Sequence, residues 1–224
     1  ELGATCFKDT IMYSGGHYNR CERTFLGFDT VSVSNLDTQN KNAIYRTTQN
    51  VYATNSFYTK GLVLKTNILD SSKTVLSSTE YTYLLKGDSL KDERVFPALI
   101  KQTQSVYQND QALSSTRSYD YDEMGNLTTY AIDGELTAAI TYHTHDVVKN
   151  APQSIEVSGG GAILQKRSSL IDKKGNITQF SVQVDEATEA LYNITYDTFG
   201  NIATFTRPEN NKAERVTVQV KYDD

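Results

Sequence analysis

The sequence predicts an all-β protein, built of successive antiparallel hairpins that form a large, curved, partly open sheet. Three observations carry that prediction. One short phrase recurs: Tyr121-Asp122-Glu123-Met124-Gly125-Asn126-Leu127, Ile171-Asp172-Lys173-Lys174-Gly175-Asn176-Ile177 and Tyr196-Asp197-Thr198-Phe199-Gly200-Asn201-Ile202, with a truncated Tyr222-Asp223 at the end. Its aspartates lie 50, 25 and 26 residues apart, a unit of about 25 residues with one decayed copy near residue 147, which marks a stacked array. Apolar and polar residues alternate with period two, as in Tyr192, Ile194, Tyr196 and in Val216, Val218, Val220, Tyr222, and no segment shows convincing helical periodicity.

Each repeat has a physical reading as a hairpin. The Asp carboxylate accepts the backbone N–H groups that follow it, and Gly-Asn supplies two residues that tolerate positive φ. Fifteen strand-like runs follow in order: 11–18, 21–35, 43–53, 61–69, 74–85, 98–107, 113–121, 127–132, 136–143, 153–157, 162–171, 177–184, 190–196, 202–206 and 214–222. Turn chemistry separates them at Gly15-Gly16, Asn40-Lys41-Asn42, Asp70-Ser71-Ser72, Gly87-Asp88, Asn109-Asp110, Asp133-Gly134, Gly159-Gly160-Gly161 and Glu209-Asn210-Asn211. Residues 88–95 have room for one helical turn. No Pro/Ser-rich linker interrupts the chain. The expected division is therefore one of character: irregular hairpins over 1–111 and repeat hairpins over 112–224, within one continuous sheet.

Composition narrows the function classes. Hydrophobic residues make up only 38 % of the chain and Trp is absent, so 15 Tyr and 8 Phe supply the large packing surfaces, and Tyr, Thr, Ser and Val favour strands. A net charge of −5 with dispersed charges argues against nucleic acid or an anionic membrane as partner. No apolar run approaches the roughly 20 residues of a membrane-spanning helix, and no signal peptide opens the chain. Glu1 at one end and half a repeat at the other read as a segment of a longer polypeptide.

The repeated Tyr-Asp-x-x-Gly-Asn-Leu/Ile phrase resembles the Rhs/YD-repeat family of large secreted or surface proteins. Gly16-His17-Tyr18-Asn19-Arg20-Cys21-Glu22-Arg23-Thr24-Phe25-Leu26-Gly27-Phe28-Asp29-Thr30-Val31 is similar to the Arg-x-Phe-x-Gly-Phe-x-x-Val segment of insecticidal toxin-complex B components and SpvB-type virulence proteins, carried here by Arg23, Phe25, Gly27 and Phe28. Tyr58-Thr59-Lys60-Gly61-Leu62-Val63-Leu64-Lys65 and Phe96-Pro97-Ala98-Leu99 resemble the next landmarks, so the likeness covers about residues 11 to 223. Two departures stand out: Ile171 replaces the expected Tyr, and Tyr142-His143-Thr144-His145-Asp146 lacks the Gly-Asn turn.

What the resemblance implies is a bacterial, secreted or surface-bound shell whose repeats wind as a β-sheet around a toxic carboxy-terminal region. This segment would lie in the shell wall, after a β-propeller region and at the start of the repeats. Its partners would be the remaining shell segments, the enclosed cargo and other toxin-complex subunits, and exposed strand edges would allow edge-to-edge self-association. The family's aspartyl autoprotease motif is not in these residues. The alternative reading is a surface adhesin whose tyrosine-rich face binds carbohydrate or a host protein.

Other sites weigh less. His143, His145 and Asp146 could share a strand face and ligate a cation, but they read more simply as the polar end of a decayed repeat. Asp122-Glu123, Asp197 and Asp223 recur in register as Ca²⁺ ligands would, yet one carboxylate per unit makes each a turn cap first. Asn126, Asn176 and Asn193 fit the glycosylation pattern by coincidence of turn and strand. Gly159-Gly160-Gly161 lacks the Lys-Ser/Thr of a phosphate loop. Cys6 and Cys21 leave both a disulfide and two thiols open. Tyr121, Tyr196 and Tyr222 read as wall packing with wet hydroxyls. The expectation is a protein without enzymatic activity, cofactor or metal, since no Gly-x-Ser-x-Gly elbow or Cys/His pair assembles a nucleophile.

Overall fold

The computed structural model describes residues 8–87, 95–109, 111–144, 148–185, 187–210 and 212–222. Every regular element among them is a strand: β1 (Lys8–Asn19), β2 (Thr24–Asp37), β3 (Ala43–Tyr52), β4 (Val63–Asp70), β5 (Val75–Lys86), β6 (Phe96–Gln108), β7 (Gln111–Tyr121), β8 (Leu127–Ile132), β9 (Leu136–Tyr142), β10 (Pro152–Gly159), β11 (Ala162–Ile171), β12 (Ile177–Gln183), β13 (Glu189–Tyr196), β14 (Ile202–Thr206) and β15 (Thr217–Gln219). The all-β antiparallel architecture is the one the alternation and turns predict. Most boundaries shift by one to three residues, and two of the shifts have a visible cause. β2 begins at Thr24, because the Asn19 side chain accepts the N–H groups of Cys21 and Glu22 and holds 20–23 as a turn. β15 is only three residues long, because Glu214 closes a turn on Asn210. The helical turn envisaged at 88–95 falls outside the described residues apart from Val95, which is irregular.

The chain divides into two compact units, Glu1–Ser118 and Tyr119–Asp224. In the first, each strand pairs antiparallel with its sequence neighbour. Register places Met12, Ser32, Gln49, Asn67, Ser78, Ser105 and Ser114 side by side across seven strands. Directly opposed residues share a face, so from Ser32 onward this is a polar row. Asn67 Nδ2 donates to Gln49 Oε1 at 3.3 Å, and the Ser105 and Ser114 hydroxyls are 2.8 Å apart. On the same face Lys65 Nζ sits 2.7 Å from Glu80 Oε1.

The second unit is amphipathic. Ile140, Ile155, Arg167, Val182 and Ala190 form one cross-strand row, and Ile194, Phe205 and Val218 another on that face. Phe180 stacks on Tyr192 with ring centroids 4.4 Å apart and planes within 6°, and Phe205 lies 5.7 Å from Tyr192. The opposite face carries hydroxyl pairs: Thr141–Ser154 at 2.7 Å, Ser168–Ser181 at 2.8 Å, Thr195–Thr204 at 2.6 Å and Thr206–Thr217 at 2.9 Å.

Each unit is one sheet thick, and this limits its core. Among the described residues the buried apolar side chains are Leu26, Ala53, Ala98 and Ala138, and no large side chain is fully buried. Cross-strand pairs, worth about 0.2–1 kcal/mol each, therefore carry stability that a second layer supplies in a sandwich.

Candidate functional site

The feature that repeats with chemical precision is the turn. In all three copies the Asp N–H donates to the Asn carbonyl at 2.9 Å, while the Gly N–H returns to the Asp carbonyl at 3.0–3.2 Å. Gly125, Gly175 and Gly200 have φ of 85°, 87° and 89°, the left-handed conformation that ends a three-residue hairpin loop. The carboxylate fills the loop. Oδ1 of Asp172 accepts the N–H of Lys174 at 2.8 Å and of Asn176 at 2.9 Å, and Oδ2 accepts the Asn176 side-chain amide at 3.0 Å. Asp122 and Asp197 repeat those bonds with Met124 and Asn126, and with Phe199 and Asn201.

These bonds set the electrostatics. The backbone N–H of Asn176, with its side chain and Lys174, holds the Asp172 carboxyl below its ordinary range. At Asp122 and Asp197 burial pushes the other way, but the donors of Asn126 and Asn201 prevail and both carboxyls are also lowered. Both oxygens of each carboxylate accept donors of their own loop. Asp223, the fourth member of the imagined Ca²⁺ set, lies outside the described residues.

The tyrosines act on the turn before them. Tyr196 donates its hydroxyl to the Ile177 carbonyl at 2.9 Å, and Ile177 is the residue after the Asp172 turn. Tyr142 does the same to Leu127, after the Asp122 turn, also at 2.9 Å. In both cases the backbone ladder between the two strands ends earlier, at Gln179–Asn193 and at Thr129–Ala139, so the phenol bridges where the strands have parted. Burial raises both phenols, and the Asp172 and Asp122 carboxylates raise them further. Sequence reading missed Tyr142, filed with the decayed repeat. It also missed the segment that stands in for the lost turn: the Asn126 side chain donates to the Lys149 carbonyl at 3.0 Å, and a Cβ on Gly175 would come within 2.6 Å of Val148 Cγ2. Ile171 is the phrase position that would latch a turn near 147, and there the Gly-Asn turn is missing.

Two more turns have the same wiring without the phrase. Asp70 Oδ1 accepts from Ser72 and Thr74 at 2.8 Å, and Asn210 Oδ1 accepts from Lys212 and Glu214 at 2.9 and 3.0 Å. Their left-handed positions are Lys73 (φ 66°) and Ala213 (φ 59°), so no glycine advertises them.

The Arg23–Phe28 segment forms the start of β2. Arg23 takes φ 49° in the turn, Gly27 takes φ 112°, and Phe28 packs on Tyr13 (4.9 Å) and edge-on to Phe25 (5.2 Å, 73°). Asp29 accepts from the buried Thr54 hydroxyl and lies 2.8 Å from His17 Nε2. Thr54, then His17, holds its carboxyl low. The Thr54 proton points at the carboxylate and not at the imidazole, so the trio lacks the nucleophile-to-base contact of a catalytic relay.

The remaining candidates are dispersed. His143 Nε2 lies 3.4 Å from Ser169 Oγ, while His145 and Asp146 lie outside the described residues. Gly159–Gly161 forms the β10–β11 hairpin tip, with φ of 59° and 82° at Gly160 and Gly161. Cys21 is exposed and Cys6 lies outside the described residues.

Neither a family model nor a curated protein sequence matches the chain. Solved structures do. A TcdB2-TccC3 crystal structure without the hypervariable C-terminal region is similar over 91 % of this chain and 18 % of that one, with 11 % identity and a TM-score of 0.67. A second TcdB2-TccC3 structure is similar over 90 % of this chain and 15 % of that one, with 12 % identity and a TM-score of 0.50. The chain thus spans less than a fifth of those chains, and what it shares with that part of them is the fold.

Proposed function

We propose that the chain is a non-enzymatic wall segment of an Rhs/YD-repeat, toxin-type shell that encloses a carboxy-terminal toxic region of the same polypeptide. The observation that carries this reading is the one-layer sheet with strands in sequence order, similar in fold to part of a TcdB2-TccC3 chain. A wall must hold its shape without a second layer, and the internally satisfied turns and phenol bridges supply rigidity at the sheet margin. The hypervariable C-terminal region named for the neighbour supports a cargo carried beyond a constant wall. Its partners are then the adjoining wall segments, the cargo and further toxin-complex subunits, and its place of action is outside the bacterial cell or on its surface.

The test uses the parent polypeptide with its carboxy-terminal region attached. Limited proteolysis is expected to spare that region while the wall is intact and to degrade it when Asp172 and Asp197 are both replaced by alanine. Equal digestion of the region in both proteins would overturn the encapsulation reading. A glycan array on the 224-residue chain addresses the adhesin: specific binding lost on Tyr192→Ala would favour it over the wall.

A further inference from the structure

Where β3 leaves the sheet, residues 53–62 form a closed loop, and between that loop, β4 and β5 lies a cavity of about 420 Å³. Small-molecule sites run from about 300 to 1,000 Å³, so the cavity is large enough for one. The loop is built to hold its shape. The Ala53 N–H donates to the Leu62 carbonyl at 2.9 Å and the Gly61 N–H to the Ala53 carbonyl at 3.1 Å, so the two ends are bonded to each other. Ala53 and Thr54 are buried, and the Thr54 hydroxyl donates to Asp29 of β2. On the same loop, Lys60 Nζ lies 4.2 Å from the centre of the Phe57 ring. A ligand entering this frame meets a wall that is already ordered, which lowers the entropic cost of binding.

The lining is mixed and carries no charged side chain. Leu62, Leu64 and Leu85 give it aliphatic surface, and Tyr52 and Tyr83 give it aromatic surface. Thr59 donates its hydroxyl to Asn55 Oδ1 at 3.1 Å, which fixes that amide by its carbonyl and leaves Nδ2 to donate elsewhere. The phenols of Tyr52 and Tyr83 have no hydrogen-bond partner among the described residues, and burial raises that of Tyr83. A tyrosine hydroxyl withdrawn from water ordinarily finds a partner. Two phenols and an amide donor around aliphatic and aromatic surface suit a ligand with hydroxyl groups at its edge and C–H groups on its faces. A carboxylate, phosphate or ammonium would lose water here and gain no counter-charge. We infer that this cavity binds a neutral saccharide of one or two rings, held by Tyr52, Asn55 and Tyr83. The site belongs to the first unit alone, and it needs neither the enclosed cargo of the wall nor the Tyr192 face of the adhesin.

The test is calorimetric titration of the 224-residue chain with glucose, galactose, N-acetylglucosamine, maltose, lactose and cellobiose. At least one of these is expected to bind with a Kd below about 10 mM. Glucuronic acid and glucosamine put a charge on the same kind of ring and are expected to bind at least about tenfold more weakly than the best neutral sugar. Tyr52→Phe and Tyr83→Phe keep the rings and remove one hydroxyl each, so each should weaken binding about two- to tenfold, and the double variant at least about tenfold. Their circular dichroism should match that of the parent chain. Tyr192→Ala, in the second unit, should leave the affinity unchanged. The parent polypeptide should bind the same sugar with the same affinity. The inference is overturned if none of the six binds below about 10 mM, if the charged sugars bind equally well, or if the double Phe variant keeps full affinity. Loss of binding with Tyr192→Ala would also overturn it, as would its loss in the parent polypeptide, where an adjoining segment would then fill the cavity.

Discussion

Removing one oxygen atom tests the claim that the repeat tyrosine belongs to the turn before it. In Tyr196→Phe the ring stays and only the bond to the Ile177 carbonyl, at 2.9 Å, is lost. An internal neutral hydrogen bond is worth about 0.5–1.5 kcal/mol net. The carbonyl here lies near the sheet margin and water replaces part of the bond, so a loss of about 0.5–1 kcal/mol is expected. With a urea m-value near 2 kcal/mol/M, the midpoint falls by about 0.3–0.5 M. Tyr142→Phe should behave alike, since its bond to Leu127 has the same length and the same place beyond the ladder. Ile171→Tyr is the control: it restores the phrase but finds no Gly-Asn turn before it, so it should stabilise by less than about 0.3 kcal/mol. Urea denaturation followed by far-ultraviolet circular dichroism reads all three. Midpoints within about 0.1 M of the parent for both Phe variants, or a gain from Ile171→Tyr as large as their loss, would refute the assignment. Tyr196→Ala would cost about 2–4 kcal/mol for a buried ring. Its ring is half-buried, so the lower end is expected.

Further outcomes follow from the same turns. Gly200→Ala should cost about 1–2 kcal/mol because a Cβ is strained at φ 89°. Gly175→Ala should cost more, because its Cβ also meets Val148; thermal melts should show Val148→Ala recovering part of that excess and none of the Gly200→Ala loss. Lys73→Gly is expected to stabilise by about 0.5–1 kcal/mol by relieving φ 66° at a turn of the same wiring, read as a raised urea midpoint. Acid should weaken the second unit: Asp122, Asp172, Asp185 and Asp197 all have carboxyls lowered on folding, so their contribution is present above the ordinary carboxylate range near pH 4 and lost as pH falls through the folded values. Replacing all four by asparagine should flatten melting temperature between about pH 5 and pH 2.5. Base has the mirrored effect. The phenols of Tyr83, Tyr121, Tyr142 and Tyr196 are raised, so their contribution holds below about pH 10 and is lost as pH climbs through the folded values.

The fold was legible because its signals are local. Period-two alternation and turn residues act within about ten positions, and a meander places each strand beside its neighbour in sequence, so little long-range inference is needed. Boundaries failed where a side chain captured the backbone, as at Asn19 and Asn210. In the candidate site, repetition singled out the Asp and the Gly-Asn. It could not reveal that the partner of Tyr196 is 19 residues back, or that Val148 and Lys149 contact turns whose sequences do not mention them. The Asp70 and Asn210 turns were legible as turns, but their likeness to the repeat turn was hidden for a different reason. A left-handed position favours glycine by only about 1–2 kcal/mol, and the hydrogen-bonding groups around an Asp or Asn can offset that.

The decayed repeat distinguishes a tyrosine that serves its own turn from one that serves the turn before it. If the tyrosine served its own turn, loss of the Gly-Asn near residue 147 would leave Tyr142 without a role, and a substitution at 171 would be unrelated. The geometry gives the opposite pairing. Tyr142 still bridges to Leu127 because the Asp122 turn before it is intact, whereas position 171 follows the altered segment and has become isoleucine. The structural unit is therefore Asp-x-x-Gly-Asn-Leu/Ile followed, 15 to 19 residues after its last member, by tyrosine, and the contiguous Tyr-Asp phrase is the seam between two such units. Grafting both halves tests this directly: Gly-Asn restored near 147 together with Ile171→Tyr should stabilise by more than the sum of the two single changes, and strict additivity in denaturation midpoints would return the tyrosine to its own turn.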